Sequence, residues 1–164
     1  MKIFGKPVSD YFAFQMPIVI LILVVGLARL ALSLAGLSPS IVRWFSLSVL
    51  ALVGIVYCAV KVPRTGFGTY KHLWPLFVVQ AALANAIIAG GIVLAILTGR
   101  DNIFSLPEYS GPMAQNQWLH AGIHLVLDGF LIGPLFAWLI GSGIMFIAKK
   151  FSTPSSTSPA AARM

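Results

Sequence analysis

Residues 73–98 read LWPLFVVQAALANAIIAGGIVLAILT, a run of 26 residues without a single Asp, Glu, Lys or Arg. A helix rises about 1.5 Å per residue, so about 20 apolar residues are enough to cross about 30 Å of hydrocarbon. This run is long enough to span a lipid bilayer. The sequence Gly99-Arg100-Asp101-Asn102 follows it and is typical of a turn, which predicts where the helix ends.

Three other runs have the same length and apolar character. Few polar residues interrupt them: Gln15 and Arg29 stand in the first, and Arg43 and Lys61 stand near the ends of the second. The fourth run closes on a pair of lysines. The predicted spans are residues 12–35, 41–62, 73–98 and 117–148.

The composition supports a membrane protein. Of the 164 residues, 59% are apolar and 9% are charged, and the mean hydropathy is +0.93. Soluble domains average about 45–50% apolar and about 25% charged residues, so this chain has too few charges for a water-soluble surface. We therefore predict an all-α, integral membrane four-helix bundle, with residues 1–150 as a single transmembrane domain. Residues 151–164 have low-complexity composition and are predicted to be a disordered cytoplasmic tail.

The basic residues predict the orientation, because cytoplasmic connections are enriched in Lys and Arg. Eight fall on one side of the predicted bundle: Lys2, Lys6, Lys61, Arg64, Lys71, Lys149, Lys150 and Arg163. Three fall on the other: Arg29, Arg43 and Arg100. We expect both termini to be cytoplasmic and the membrane to be the bacterial inner (plasma) membrane. The net charge of +7 is dispersed between apolar runs, so we expect lipid rather than nucleic acid as its partner.

Small residues recur at four-residue spacing in the last two runs. Such ridges let helix backbones approach closely in lipid. The ridge of the fourth run contains Gly129, Gly133, Ala137 and Gly141, and that of the third contains Ala82, Ala86 and Gly90. We expect both to be packing faces, within the chain or against a second copy. Gly133-Pro134 predicts a kink, because proline removes a backbone donor and clashes with the preceding turn.

Ionisable residues in the apolar runs are the candidate site. His120, His124 and Asp128 are spaced by four and therefore share one helix face. Arg29 lies at a similar depth in the first run, so we hypothesise that Arg29 pairs with Asp128 and that Arg43 joins the cluster. In the third run, the amides of Gln80 and Asn85 are predicted to form interhelical hydrogen bonds.

The cluster has alternative interpretations. It is either a structural ion-pair network, a proton or ion relay, or a metal or haem site. For a metal, His120 and His124 are candidate ligands, with Met113 as a soft ligand for copper, whereas Asp128 lies one turn too far to reach the same ion from an unbroken helix. No cofactor is assigned. The single cysteine, Cys58, excludes an internal disulfide and a cysteine-based zinc site.

No catalytic set is visible, so an enzyme is the less favoured class. We expect a non-enzymatic assembly or auxiliary subunit of a homo-oligomer or larger membrane complex, which associates through the small-residue faces. The alternative is a small transporter or channel, or a redox-linked subunit with metal or haem, that uses the Arg, His and Asp cluster. A membrane enzyme acting on a lipid or quinone is third.

Overall fold

A computed structural model describes residues 1–110, 113 and 115–151 and confirms the all-α prediction. A short antiparallel hairpin precedes the helices and pairs β1 (Lys2–Ile3) with β2 (Lys6–Pro7). The helices are α1 (Val8–Leu34), α2 (Pro39–Val42), α3 (Leu47–Arg64), α4 (Tyr70–Thr98), α5 (Pro107–Ser110), α6 (Gln117–Gly122), a π-helical segment (Ile123–Leu131) and α7 (Ile132–Phe151). Of the predicted tail, residues 152–164 lie outside the described residues.

Four helical stretches are long and apolar enough to cross a membrane. They are Val8–Leu34, Pro39–Arg64, Tyr70–Thr98 and Gln117–Phe151. Each contains one of the predicted spans, apart from Ala35 at the end of the first, and most extend beyond them. Because successive helices run in opposite directions, the bundle has a hairpin end, with β1, β2 and Lys149, and a loop end, where residues 99–106 follow α4. An integral multi-pass membrane protein has this architecture.

Two of these stretches are irregular. In the first, Gln15 leaves helical geometry (φ −110°, ψ 15°) two residues before Pro17, whose ring and missing N–H disturb the preceding turn. One residue before this irregular turn, the carbonyl of Phe14 accepts a hydrogen bond of 2.9 Å from Lys61 Nζ. The second stretch is interrupted between α2 and α3, and Ser46 caps the start of α3 because its hydroxyl accepts a hydrogen bond from the Val49 N–H. The apolar pattern shows neither break.

The small residues of the fourth stretch pack inside the chain. A Cβ atom added at Gly129 would lie 3.5 Å from Cα of Ala82, and one added at Gly141 would lie 2.7 Å from the ring of Phe77. The predicted packing face of α7 therefore faces the chain's own α4. On α4, Ala86 is exposed, and a Cβ at Gly90 would meet nothing within 4 Å.

A π-helical segment, Ile123–Leu131, stands immediately before the predicted kink at Gly133-Pro134. Proline 134 supplies no N–H, and its ring crowds the carbonyl four residues earlier. Widening the helix to an i→i+5 pattern is one way to accommodate that crowding. The π-helical segment carries His124 and Asp128 and therefore determines how the candidate site is presented.

Candidate functional site

Asp128, His124 and His120 form a continuous line of polar contacts near the loop end. The Asp128 carboxylate (Oδ2) lies 3.1 Å from His124 Nδ1, and His124 Nε2 lies 3.1 Å from His120 Nε2. Exposure falls along the line, because Asp128 and His124 are half-buried whereas His120 is buried. The line therefore runs from a half-buried carboxylate to a buried imidazole.

The contacts assign the protons when both histidines are neutral. A carboxylate only accepts hydrogen bonds, so His124 carries its proton on Nδ1 and donates it to Asp128. His124 Nε2 then accepts, so His120 donates from its own Nε2. His120 Nδ1 is left as an acceptor, and it is buried without a hydrogen-bond partner within the described part of the chain. The hydrogen bonds of the line therefore all run toward Asp128: His120 donates to His124, and His124 donates to Asp128.

Asn85 of α4 fixes the position of His124. Its Nδ2 donates to the carbonyl of Ala81 at 3.0 Å, which orients Oδ1 toward His124 Nδ1 at 3.1 Å. His124 Nδ1–H therefore has two acceptors, Asn85 Oδ1 and Asp128 Oδ2. Gly129 permits this arrangement, since it brings the π-helical segment against Ala82 and Asn85.

Arg29 and Asp128 contact different partners. Arg29 Nη1 donates to the Phe45 carbonyl at 3.5 Å, and its guanidinium lies 5.3 Å from the ring centroid of Phe104. Asp128 pairs with His124, and within the described chain no ion pair joins Asp128 to Arg29. Arg43 directly follows α2 and is exposed, and among the described residues no hydrogen bond or ion pair joins its side chain to this line.

The separation of Arg29 from Asp128 follows from the faces of α4. Helix α1 packs against the face of α4 that carries Gln80 and Ile87, whereas the π-helical segment packs against the face with Ala82 and Asn85. At 100° per residue these two faces point in different directions. Depth along two helices does not specify lateral position, and the two helices that carry these charges pack on different sides of α4.

The three side chains of the line follow one another and do not surround a common point. His120 and His124 touch each other through Nε2, and Asp128 binds the far side of the His124 ring. The three groups therefore do not converge on one point, and no group of three His, Cys, Asp or Glu among the described residues is placed to hold a metal ion. Met113 lies in the connection before α6, where its carbonyl accepts from the Asn116 N–H.

An apolar cavity of about 330 Å³ lies beside this line, and we call it the lateral cleft. Its mouth has exposed residues of α3 and α7, including Ser48, Ala51 and Phe136, so it opens sideways, toward the membrane of a spanning bundle. The polar side chains in its wall are Ser48, Gln80, Asn85 and His124. His124 thus belongs both to the polar line and to the cleft. Periodicity in the sequence did not indicate this cleft.

Gln80 forms a second polar contact deep in the bundle. Its Nε2 donates to Gln15 Oε1 at 2.8 Å and lies 3.3 Å from Cys58 Sγ. Gln15 is fully buried, and Gly54 of α3 leaves the space that the Gln80 carboxamide occupies. The sequence signal for this contact was Gln15, an uncharged polar residue in the first apolar run, to which no partner was assigned.

A double-mutant cycle in detergent tests which pair interacts. We expect Asp128→Asn and His124→Gln to couple by at least about 0.5 kcal/mol in the free energy of unfolding, because they are in direct contact. Asp128→Asn and Arg29→Gln should add to within about 0.5 kcal/mol, because the two side chains contact different groups. Coupling of Asp128 with Arg29 but not with His124 would contradict the described geometry.

Fold and site together define a multi-pass membrane protein with a line of ionisable side chains beside a lateral cleft. No family model matches the chain, and no curated protein or solved structure matches it.

Proposed function

We propose that this chain is a small proton-handling membrane protein that binds a lipid-soluble molecule in the lateral cleft. In this role it is a transporter or a redox-linked subunit. A proton passes between the loop end and the cleft along the line formed by Asp128, His124 and His120. The observation that carries the proposal is the double position of His124. It lines the cleft and also contacts both other members of the line.

The hydrogen-bond pattern supports proton transfer. A proton that reaches His120 Nδ1 makes this ring cationic, and the proton on its Nε2 can then move 3.1 Å to His124 Nε2. The resulting imidazolium at His124 is stabilised by the Asp128 carboxylate and by Asn85 Oδ1. An imidazole can accept a proton on one ring nitrogen while it donates from the other, which is what a relay requires.

The cleft supports a lipid-soluble ligand. Its wall is mainly apolar, it opens between α3 and α7, and its volume of about 330 Å³ falls within the range of small-molecule sites. A few polar side chains in an apolar wall orient a ligand without binding water-soluble molecules strongly. A hydrophobic molecule with one hydrogen-bonding head group fits this chemistry.

The charge distribution supports an orientation with both termini in the cytoplasm, and we propose the bacterial inner membrane as the location. Among the described residues, the hairpin end carries seven Lys and Arg side chains, whereas the loop end carries Arg29, Arg43 and Arg100. Short cytoplasmic connections are enriched in these residues.

Assembly with a second copy or with a larger membrane complex is a second candidate. It is favoured by the exposed small residues Ala86 and Gly90 on α4. Close approach of another helix there meets no side chain of this chain at Gly90. The small residues of the fourth stretch already pack against α4 of the same chain, so they support assembly with another chain less.

Proton flux into proteoliposomes tests the relay. An imposed pH gradient should drive a flux that His124→Gln and Asp128→Asn each reduce at least about tenfold, because each removes a proton-transfer partner. Glu108→Gln is the matched control, since it neutralises an exposed acid near the same end and should leave the flux unchanged. Equal flux in all variants would contradict the relay, and no flux in the unaltered protein would contradict the transporter role.

The same preparations test the cleft. Lipid-soluble molecules extracted from the purified protein and measured by mass spectrometry should be depleted in Ala51→Phe, which places a ring in the cleft mouth. Ala31→Phe adds the same ring at an exposed position of α1 and should retain them. Identical extracts from both variants would remove the ligand from the proposal.

A further inference from the structure

The N-terminal hairpin forms one wall of a second cavity, at the opposite end from the His and Asp line. Its turn places Phe4 (φ 50°) and Gly5 (φ 88°) both in the left-handed region, as a two-residue hairpin turn requires. This conformation is unfavourable for a bulky residue such as phenylalanine. Tyr11 holds the hairpin against α1 by donating from its hydroxyl to the Ile3 carbonyl at 2.8 Å.

The cavity is an apolar groove of about 350 Å³ between the hairpin, α1 and α4, and we call it the hairpin groove. It is lined by Ile3, Phe4, Val8, Tyr11, Trp74, Pro75, Val78 and Val79. Only Tyr11 and Trp74 carry a polar atom in their side chains. The groove is therefore suited to a hydrocarbon chain and not to a polar metabolite.

A cation stands next to this groove. Lys71 is exposed, and its Nζ lies 5.5 Å from the ring centroid of Phe4, a residue of the groove wall. Val78 is seven residues further along α4, about 10 Å deeper along the helix axis. In a spanning bundle the groove then runs from the depth of lipid head groups into the hydrocarbon.

The charged residues around this groove are also mainly positive. The described basic residues of the hairpin end are Lys2, Lys6, Lys61, Arg64, Lys71, Lys149 and Lys150. Of the four acidic residues in the chain, Asp10 alone belongs to this end, since the other three are Asp101, Glu108 and Asp128. An anionic head group is therefore attracted here and a cationic one repelled.

We propose that the hairpin groove binds one anionic phospholipid, with an acyl chain along Val8, Val78 and Val79 and the phosphate beside Lys71. The occupant must combine a long apolar chain with a negative head group, and a membrane phospholipid such as phosphatidylglycerol has both. This site is separate from the lateral cleft, and its existence does not depend on proton transfer.

Native mass spectrometry of the full chain in detergent tests the site, with phosphatidylglycerol and phosphatidylcholine of identical acyl chains as probes. The first bound phosphatidylglycerol should dissociate about fivefold less readily than phosphatidylcholine, as expected for one nearby lysine. Lys71→Gln should abolish that preference. Lys150→Gln removes an equal charge from the same end, away from the groove wall, and should keep it.

A second pair of variants tests the acyl-chain part. Val78→Trp fills the groove and should weaken binding of both lipids, whereas Val49→Trp, at an exposed position of α3, should leave both unchanged. Equal affinity for the two lipids in the unaltered protein would overturn the proposal. It would also be overturned by a preference that survives Lys71→Gln in folded protein, since this would indicate attraction to the charged surface in general.

Discussion

Replacement of Gly133 by alanine is expected to lower the free energy of unfolding by about 1–3 kcal/mol, the usual cost of overpacking. A Cβ atom at this position would collide with the backbone carbonyl oxygen of Asp128 in the same helix. That carbonyl also accepts the N–H of Ile132, so it cannot turn away without losing a hydrogen bond. Only a change in the π-helical segment relieves the collision.

The expected loss of stability in Gly133→Ala is opposite to the gain expected in a regular helix. In a regular helix, alanine is favoured over glycine by about 0.8–1.0 kcal/mol, so a simple helix at residue 133 would be stabilised by the same substitution. Gly143→Ala is the matched control, because a Cβ there meets nothing within 4 Å. Unfolding in detergent should therefore show Gly133→Ala below the unaltered protein and Gly143→Ala equal to it or above it.

The substitution should also disturb the candidate site. The π-helical segment presents Asp128 to His124, so a change in its winding alters the 3.1 Å contact between them. The ¹⁵N chemical shifts of His124 report which ring nitrogen carries the proton, and they should change in Gly133→Ala but not in Gly143→Ala. If the two variants had equal stability and equal His124 chemical shifts, the π-helical segment would not be what positions Asp128 against His124.

Hydropathy was sufficient to predict the four long helices, because lipid requires about 20 apolar residues in each span. It did not predict the break before α3, the irregular turn at Gln15 or the π-helical segment. Contacts such as that of Lys61 with the Phe14 carbonyl accompany these irregularities, and their partners are remote in sequence. A pattern of apolar residues contains no information about such partners.

The candidate site was predicted in part, for a similar reason. Spacing by four correctly places His120, His124 and Asp128 on one face, since this is a property of a single helix. Pairing of Asp128 with Arg29 was inferred from depth alone, and depth does not specify which side of α4 each helix occupies. In the structure, Asn85 contacts His124. The sequence predicted that Asn85 forms an interhelical hydrogen bond but did not predict its partner.

The buried pair of Gln15 and Gln80 leads to a prediction in which two similar substitutions have unequal effects. Gln80→Leu removes the group that binds Gln15 Oε1, while Gln15 Nε2 already has no hydrogen-bond partner among the described residues. The fully buried carboxamide of Gln15 would then have no hydrogen-bond partner for Oε1 or for Nε2 among the described residues. Each lost partner costs about 1–3 kcal/mol. We therefore expect Gln80→Leu to be strongly destabilising.

Gln15→Leu should cost less. It removes an unsatisfied donor together with the hydrogen bond, and Gln80 Nε2 keeps Cys58 Sγ at 3.3 Å. The double variant Gln15→Leu/Gln80→Leu should regain most of the stability lost in Gln80→Leu, because replacing both partners by apolar groups leaves no polar atom stranded. Unfolding of all three variants in the same detergent measures this order. If the double variant were less stable than Gln80→Leu alone, the cost would come from packing against Gly54 and not from an unpaired amide.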